Sequence, residues 1–338
     1  MHKRNYVKII IILFSAAVLL LISHLILSRI YSEYSSQSVF HLDDEEIHNM
    51  FNESLQSFGL KDDWIKKIKD DEIDYSYKIK VPNDLPISHL IFDLHHRYHP
   101  YGVTVQAEEK KMNLQTLVLV LKENLPKLKI EFISDNNLIR TTSITSLFIY
   151  GREKNELEFD SLFRIINRDY LAMLLPAKSS VTFAKWLNNN GFKYAVLLNN
   201  DIADLDFRLA KEFPMKRIKL VVRNLVGAFP NALFFIVDEG SDFYSYPTFD
   251  SLKAEFDKRK ILLLTSGYIH FINSNQPDFN KSFINLIKQN EGAAKNKIAI
   301  DYEGFISLEN EISNLLRAGY KFEKLKREEI NSSKDFMK

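Results

Sequence analysis

The longest apolar run of the chain lies near its N-terminus. Residues 9–30 read IIIILFSAAVLLLISHLILSRI. About 20 apolar residues cross the hydrocarbon core of a bilayer, whereas the apolar core of a cleaved signal peptide has roughly 7–15 and is followed by a small-x-small site. No such site follows this run. We therefore predict that residues 1–31 form a short tail and a retained transmembrane anchor, with a buried helix of a soluble protein as the alternative.

The charges beside this run predict its orientation. Lys3, Arg4 and Lys8 precede it, and the acidic residues 43–46 follow it after a Ser- and Tyr-rich spacer at 32–42. Because basic residues flank the cytoplasmic end of a span, the N-terminus is expected in the cytoplasm. All later residues would then lie on the outer side of the membrane.

Residues 43–140 show short segments of both helical and strand periodicity. Asp43 and Glu46 form a capping-box pattern at the start of a helix that ends at Gly59, and a second helix is predicted at 62–69. Further along, the pattern predicts a strand at 75–81, a helix at 86–98 and strands at 103–106, 116–121 and 128–133, the first two of these strands being joined across 108–113. The segment is therefore predicted to be a small α+β domain.

From residue 144 to 326, strands and helices alternate regularly. The predicted strands are 146–150, 170–175, 193–198, 233–237, 261–265, 297–301 and 321–325. The predicted helices are 160–168, 179–190, 215–228, 248–259, 279–294 and 307–318. Seven strands joined by helical crossovers predict an α/β domain with a parallel sheet, open or closed into a barrel. The last residues, 327–338, are predicted to be a polar tail.

Composition excludes several classes of function. The chain has 338 residues, with 45 Lys and Arg against 44 Asp and Glu, so it lacks the basic excess of a nucleic-acid binder. It has no Cys, which excludes disulfides, a thiolate nucleophile and Cys-ligated metals. Gly151 is a single glycine where a dinucleotide-binding loop needs three, and Ser241 lacks the Gly-x-Ser-x-Gly elbow of a serine hydrolase.

Four segments of the second half resemble, in pattern and order, the divergent polysaccharide deacetylase family of bacterial envelopes. They are 176–191, with Pro176, Ser179-Ser180 and Gly191; 230–241, ending Val237-Asp238-Glu239-Gly240-Ser241; 258–266, ending in Thr265-Ser266; and 298–302, Ile-Ala-Ile-Asp-Tyr. The resemblance spans about residues 144–326 and implies a distorted (β/α) barrel. The α+β domain before it is similar to the extracytoplasmic arm that often precedes such barrels.

The resemblance also shows which family residues this chain lacks. Tyr150-Gly151-Arg152 stands where the family has an Asp pair. Leu197 replaces one His of the family and Asp238 another, while the acidic residue beyond the third strand is kept as Asp201. At the remaining positions Thr265 replaces an Asp and Tyr302 a late His. A metal-dependent deacetylase needs imidazole and carboxylate ligands, so the resemblance implies a barrel that has lost its metal site. No cofactor is predicted, and a divalent metal has no support at the family's ligand positions.

Acidic residues nevertheless follow several predicted strands. The candidate rim consists of Asp201, Asp238, Glu239 and Asp301. Such carboxylates act as an acid/base pair on a glycosidic bond, hold a hard cation, bind sugar hydroxyls, or simply cap helices and face solvent. The candidate substrate-binding residues are Tyr150, Arg152, Ser241, Thr265, Ser266 and Tyr302.

A second candidate is a pair of histidines in the α+β domain. His95 and His99 are four residues apart on a predicted helix, which is the spacing of a two-His metal site. No Glu follows His95, and Pro100 ends the helix at once. Histidines that simply face solvent at a helix end are the alternative.

Three hypotheses about function remain. The first is a single-pass protein of the bacterial cytoplasmic membrane whose outer domain binds envelope glycan or another envelope protein without catalysis. The second is a hydrolase or deacetylase of envelope polysaccharide that uses an acidic, His-poor site. The third is a membrane-tethered structural spacer. No nucleic-acid partner is predicted.

Overall fold

A computed structural model describes residues 42–112, 114–140, 143–151, 156–166, 169–245, 247–289 and 295–325, together with Ser23 and Glu329. The predicted anchor, the spacer, Arg152 and the polar tail therefore lie outside the described residues, apart from Ser23, Leu42 and Glu329. Within the described part of the chain, no helix is long and apolar enough to cross a membrane. The chain divides into two compact units, unit 1 up to Ile139 and unit 2 from Arg140.

Among its described residues, unit 1 has two α-helices and a five-stranded sheet. The helices are α1 (Asp44–Ser57) and α2 (Ile87–Tyr98). The strands are β1 (Ile65–Lys67), β2 (Tyr75–Pro82), β3 (Thr104–Lys111), β4 (Gln115–Lys122) and β5 (Leu125–Asp135). Their order in the sheet is β1-β2-β5-β4-β3, with β2 and β5 parallel and the other neighbours antiparallel.

The core of unit 1 lies between the two helices and one face of the sheet. The capping box is present: Asp43 accepts a hydrogen bond from the Glu46 backbone N–H at 2.7 Å, and Glu46 accepts one from the Asp43 backbone N–H at 2.8 Å. Tyr98 is fully buried, and its hydroxyl donates to the Ile47 carbonyl at 2.7 Å. Burial raises the pKa of Tyr98 well above its ordinary value.

Two sequence predictions for unit 1 differ from the structure. The predicted helix at 62–69 is a 3₁₀ turn, Asp62–Trp64, followed by β1, which pairs antiparallel with β2. This apolar and basic segment pairs with the edge of β2. The backbone hydrogen bonds between the two strands outweigh its helical pattern. The connection predicted at 108–113 is largely strand, because Glu108 pairs with Leu117 and Glu109 with Thr116 in a longer hairpin.

Unit 2 contains eight strands and seven helices among its described residues. The strands are β6 (Ile144–Tyr150), β7 (Leu171–Leu174), β8 (Tyr194–Leu198), β9 (Phe235–Val237), β10 (Leu263–Thr265), β11 (His270–Ile272), β12 (Asn296–Asp301) and β13 (Lys321–Phe322). The helices are α3 (Glu156–Ile165), α4 (Lys178–Asn189), α5 (Met215–Ala228), α6 (Thr248–Lys258), α7 (Phe279–Gln289), α8 (Tyr302–Ser307) and α9 (Glu309–Arg317).

These strands form one curled, parallel sheet in a mixed α/β unit. The order is β10-β9-β8-β7-β6-β12-β11, with β13 paired to β6, and every described pairing is parallel. Because side chains alternate across a strand, Leu147 and Ile149 join the core beneath the helices, whereas Phe148 belongs to a second cluster with Met173 and Leu197. The second cluster fills the concave side of the sheet.

The alternation predicted for residues 144–326 is present, with two differences. Strand β11, which has three residues and pairs with β12, is not among the predicted strands. The helix predicted at 307–318 is present as α9 (Glu309–Arg317), but an unpredicted short helix, α8, precedes it and ends at Leu308, whose φ of −94° and ψ of 6° break the helical geometry. Leu308 is fully buried, so its packing against the core stabilises this break.

Glu255 on α6 predicts a specific pH dependence of stability. It is buried, and hydrogen bonds from Arg259 and Lys258, each at 2.9 Å, lower its pKa from 4.5 to about 2. Because the pKa is lower in the folded chain, this contribution to stability is complete above about pH 4.5 and is lost as pH falls toward 2. Glu255→Gln should therefore be less stable than the wild type at pH 7, and the difference should shrink in acid.

Urea unfolding at several pH values measures this difference. Asp257→Asn is the matched control, since Asp257 lies on the same helix and is exposed. A Glu255→Gln difference that stays constant from pH 7 to pH 2.5 would contradict the assignment.

Candidate functional site

A cleft opens at the carboxyl ends of the central strands of unit 2. Its volume is about 660 Å³. The cleft is lined by Tyr150, Gly151, Met173, Leu175, Leu197, Asn199, Asp201, Asp238, Phe271 and Asn273. They come from the ends of β6, β7, β8, β9 and β11, which is the edge of a parallel sheet where ligands and substrates bind.

Three of the residues that the sequence singled out meet in this cleft. Tyr150, Asp201 and Asp238 come from strands far apart in the chain, yet they line the same cavity. The half-buried ring of Tyr150 lies 6.0 Å from that of Phe271, at an interplanar angle of 53°. Two aromatic side chains therefore stand beside two carboxylates.

The polar groups of the cleft are held by local turns. The side-chain amide of Asn199 donates to Asp201 Oδ2 at 2.8 Å, and the backbone N–H of Asp201 donates to Asn199 Oδ1 at 3.2 Å. Asp238 Oδ1 accepts from the Gly240 backbone N–H at 3.1 Å. Turns of this kind fix the direction of short polar side chains. Each carboxylate keeps a second oxygen that these bonds do not use.

Hydrogen bonds connect the loop that contains Glu239 to the loop that contains Ser266. Both residues were predicted as site residues. The Glu239 backbone N–H donates to Ser266 Oγ at 3.0 Å, and Glu239 Oε1 accepts from the Gly267 backbone N–H at 3.1 Å. A Cβ on Gly267 would lie 3.0 Å from the same Oε1, so the chains approach closely here. These contacts join the loops after β9 and β10. Thr265, the last residue of β10, is half-buried beside them.

Asp301 is buried, whereas the sequence predicted it on a solvent-facing rim. Its side chain is 1% exposed and caps α8 by accepting from the Gly304 backbone N–H at 3.0 Å. It also accepts from Ser274, from the backbone N–H at 3.2 Å and from Oγ at 2.7 Å. Ser274 follows the cleft residue Asn273, so the buried carboxylate holds the loop that carries one wall of the cleft.

Two other predicted binding residues do not line the cleft, and a third is not among the described residues. Tyr302 is half-buried and packs against the core beneath the helices, not with the cluster on the concave side. Ser241 is 5% exposed, its backbone N–H donates to the Asp238 carbonyl, and its Oγ has no hydrogen-bond partner among the described residues. Arg152 lies outside the described residues.

Two polar residues and one aromatic residue of the cleft are not among the residues predicted from the sequence. Asn199 precedes Asp201 in a run of polar residues after β8, and that run was the available signal. Phe271 and Asn273 belong to β11 and the turn after it. A strand of three residues has too little periodicity to be recognised, so nothing in the sequence pattern placed them at this edge.

The histidine pair of unit 1 is exposed. The ring centroids of His95 and His99 are 5.6 Å apart. Asp93, the nearest acidic residue on α2, accepts hydrogen bonds from Ser54 Oγ at 2.6 Å and from Arg97 Nε at 2.9 Å. In the described ranges, no group of three or more His, Asp or Glu residues has an arrangement that would hold a metal ion.

Comparison with known proteins gives a similarity among solved structures. No protein-family profile matches the chain, and no curated protein matches it. Among solved structures, the chain is similar to the crystal structure of a mutant of a CE4 family pseudoenzyme with restored enzymatic activity. The identity is 11%, the TM-score is 0.35, and the match covers 68% of this chain and 94% of that chain. CE4 is a polysaccharide deacetylase family, the family that the sequence resembles.

Proposed function

We propose that unit 2 is a deacetylase-like distorted barrel whose cleft binds carbohydrate without hydrolysing it. We further propose that the chain is anchored by residues 9–30 in the bacterial cytoplasmic membrane, with both units on the outer side. The observation that carries the first proposal is the cleft itself, in which Tyr150 and Phe271 stand beside Asn199, Asp201 and Asp238. The ligand class that fits is an envelope glycan.

The chemistry of the cleft matches that of a sugar. A pyranose ring has an apolar face of C–H groups and a rim of hydroxyls that both donate and accept hydrogen bonds. Aromatic and aliphatic side chains cover the apolar face of a sugar. Amide and carboxylate groups bind its hydroxyls and fix the orientation of the ring. A volume of about 660 Å³ lies within the range of small-ligand sites.

The residues at the family's ligand positions support binding without metal-dependent hydrolysis. Such hydrolysis needs a metal that polarises the acyl carbonyl and activates water. Leu197, at the position of one family His, presents a hydrocarbon side chain to the cleft. Tyr302, at the position of another, packs beneath the helices. Neither side chain supplies an imidazole to the cleft.

One observation favours a second candidate, a glycoside hydrolase. Asp201 and Asp238 line the same cavity, and glycosidases use two carboxylates as acid and base or as acid and nucleophile. The two candidates differ in whether a bound glycan is converted. Binding without product is the expectation for the proposed function.

The deciding experiment offers envelope polysaccharide fragments, acetylated and deacetylated, to the purified protein with and without added Zn²⁺ or Mg²⁺. We expect saturable binding of at least one glycan, with no released acetate and no new reducing ends. Product that forms with the wild type and is abolished in Asp238→Asn would establish the hydrolase instead. Absence of binding to any fragment would contradict the glycan-binding proposal.

A fusion of alkaline phosphatase after Arg327 tests the proposed topology. The phosphatase is active only outside the cytoplasm, so we expect high activity in intact cells. A fusion after Lys8, before the anchor, is the matched control and should be inactive. High activity of the second fusion, or none of the first, would contradict the orientation drawn from the basic residues 3–8.

A further inference from the structure

The last turn of α2 presents two imidazoles side by side to solvent. His99 directly follows α2, and its backbone (φ −52°, ψ −42°) is helical. Its backbone N–H donates to the His95 carbonyl, so the i to i+4 relation of an α-helix is intact. Both side chains are exposed, and their ring centroids are 5.6 Å apart with 34° between the planes.

This turn is held rigidly on its inner side. Between the two histidines, Tyr98 is fully buried and donates its hydroxyl to the Ile47 carbonyl at 2.7 Å. Arg97 bonds Asp93, whose carboxylate also accepts from Ser54 of α1 at 2.6 Å. After His99, the chain leaves the helix through Gly102, which has a φ of +69°. The backbone that carries both imidazoles is therefore fixed before any ligand binds, which lowers the entropic cost of binding.

The separation of the rings matches that of two imidazole ligands on one metal ion. With Zn–N distances of about 2.0–2.1 Å and tetrahedral angles, the centroids of two bound imidazoles lie roughly 5 Å apart. Small rotations of the two side chains would bring the rings from the observed 5.6 Å to this separation. We propose that His95 and His99 form a bidentate site for a divalent transition-metal ion of the imidazole-binding class, such as Zn²⁺ or Ni²⁺.

The adjacent His96 provides a matched control on the same helix. It is also exposed, but its ring stacks on that of Phe92, with centroids 5.9 Å apart, instead of facing His95 or His99. Non-specific binding by surface histidines would involve His96 as readily as the other two. Binding by the proposed site would not involve His96.

The experiment is a calorimetric titration of the full-length, untagged protein with Zn²⁺ and, separately, Ni²⁺. We expect one saturable site that His95→Gln and His99→Gln each weaken at least tenfold. The double variant should bind no more tightly than either single variant, since the loss of either ligand already removes the chelate. His96→Gln should bind as the wild type does.

Three results would overturn the proposal: no saturable binding, binding unchanged in both His95→Gln and His99→Gln, or binding weakened equally by His96→Gln. Circular dichroism of each variant shows whether the overall helix content is retained, so loss of binding is separable from loss of fold. The outcome is independent of glycan binding in unit 2, because the probe is the metal alone and the residues belong to unit 1.

Discussion

Replacing Asp301 by alanine is expected to destabilise unit 2 by roughly 3 kcal/mol, the combined effect of losing a helix N-cap and charge-assisted hydrogen bonds in a buried position. The carboxylate is 1% exposed and accepts from Gly304 N–H, Ser274 N–H and Ser274 Oγ. Without it, those two backbone N–H groups lose their described side-chain acceptor. The loop that contains Asn273 would lose its attachment to α8.

The two tryptophans of the chain allow this effect to be measured in one unit at a time. Trp64 lies in unit 1 and Trp186 in unit 2. In a Trp64→Phe background, Trp186 fluorescence during urea unfolding reports on unit 2. In a Trp186→Phe background, Trp64 reports on unit 1.

Asp43→Ala is the matched control for this prediction. Asp43 is also an Asp N-cap, but it is exposed and accepts from the backbone N–H of Glu46. Its replacement should cost unit 1 about 1 kcal/mol. An Asp301→Ala effect no larger than that of Asp43→Ala would contradict the assignment of a buried, multiply bonded cap.

Replacing Tyr150 by alanine is expected to weaken binding of the cleft's glycan ligand about tenfold, which corresponds to about 1.4 kcal/mol. The ring lines the cleft and lies 6.0 Å from Phe271, so its removal takes away one aromatic surface and the support of the other. Equilibrium titration with the tightest-binding fragment measures the change. The variant should remain folded, since Tyr150 is only half-buried.

Tyr302→Ala and a pair of acidic variants serve as controls. Tyr302 packs beneath the helices, so its replacement should affect stability more than affinity. Asp238→Asn should weaken binding, whereas Glu239→Gln should not, because Glu239 pairs with Gly267 and glutamine keeps that acceptor. Equal losses of affinity in Tyr150→Ala and Tyr302→Ala, or in Asp238→Asn and Glu239→Gln, would contradict the position of the site.

The sequence predicted the sheet of unit 2 well because its strands are buried on both faces. Segments such as 193–198 are nearly all apolar, and polar helices separate them, which is typical of a parallel sheet. Tyr150, Asp201 and Asp238 could be expected to meet because each lies at, or just beyond, the carboxyl end of a strand. That inference needs only the direction of the strands, which a parallel sheet fixes.

Three predictions differ from the structure for physical reasons that the sequence pattern does not show. Asp301 also follows a strand, but its side chain turns inward to cap α8 and to bind Ser274, 27 residues earlier in the chain. Tyr302 is the first residue of that helix and packs with it. Strand β11 is short enough that only its pairing with β12 defines it. Each outcome depends on tertiary contacts, which hydrophobic periodicity cannot reveal.

The most direct test of the central claim is a crystal structure of the protein with a bound envelope oligosaccharide. We expect the intact glycan in the cleft, with a sugar ring against Tyr150 or Phe271 and hydroxyls bonded to Asp201, Asp238 or Asn199. An oligosaccharide bound away from this cleft, or one that has been cleaved or deacetylated within it, would contradict the account.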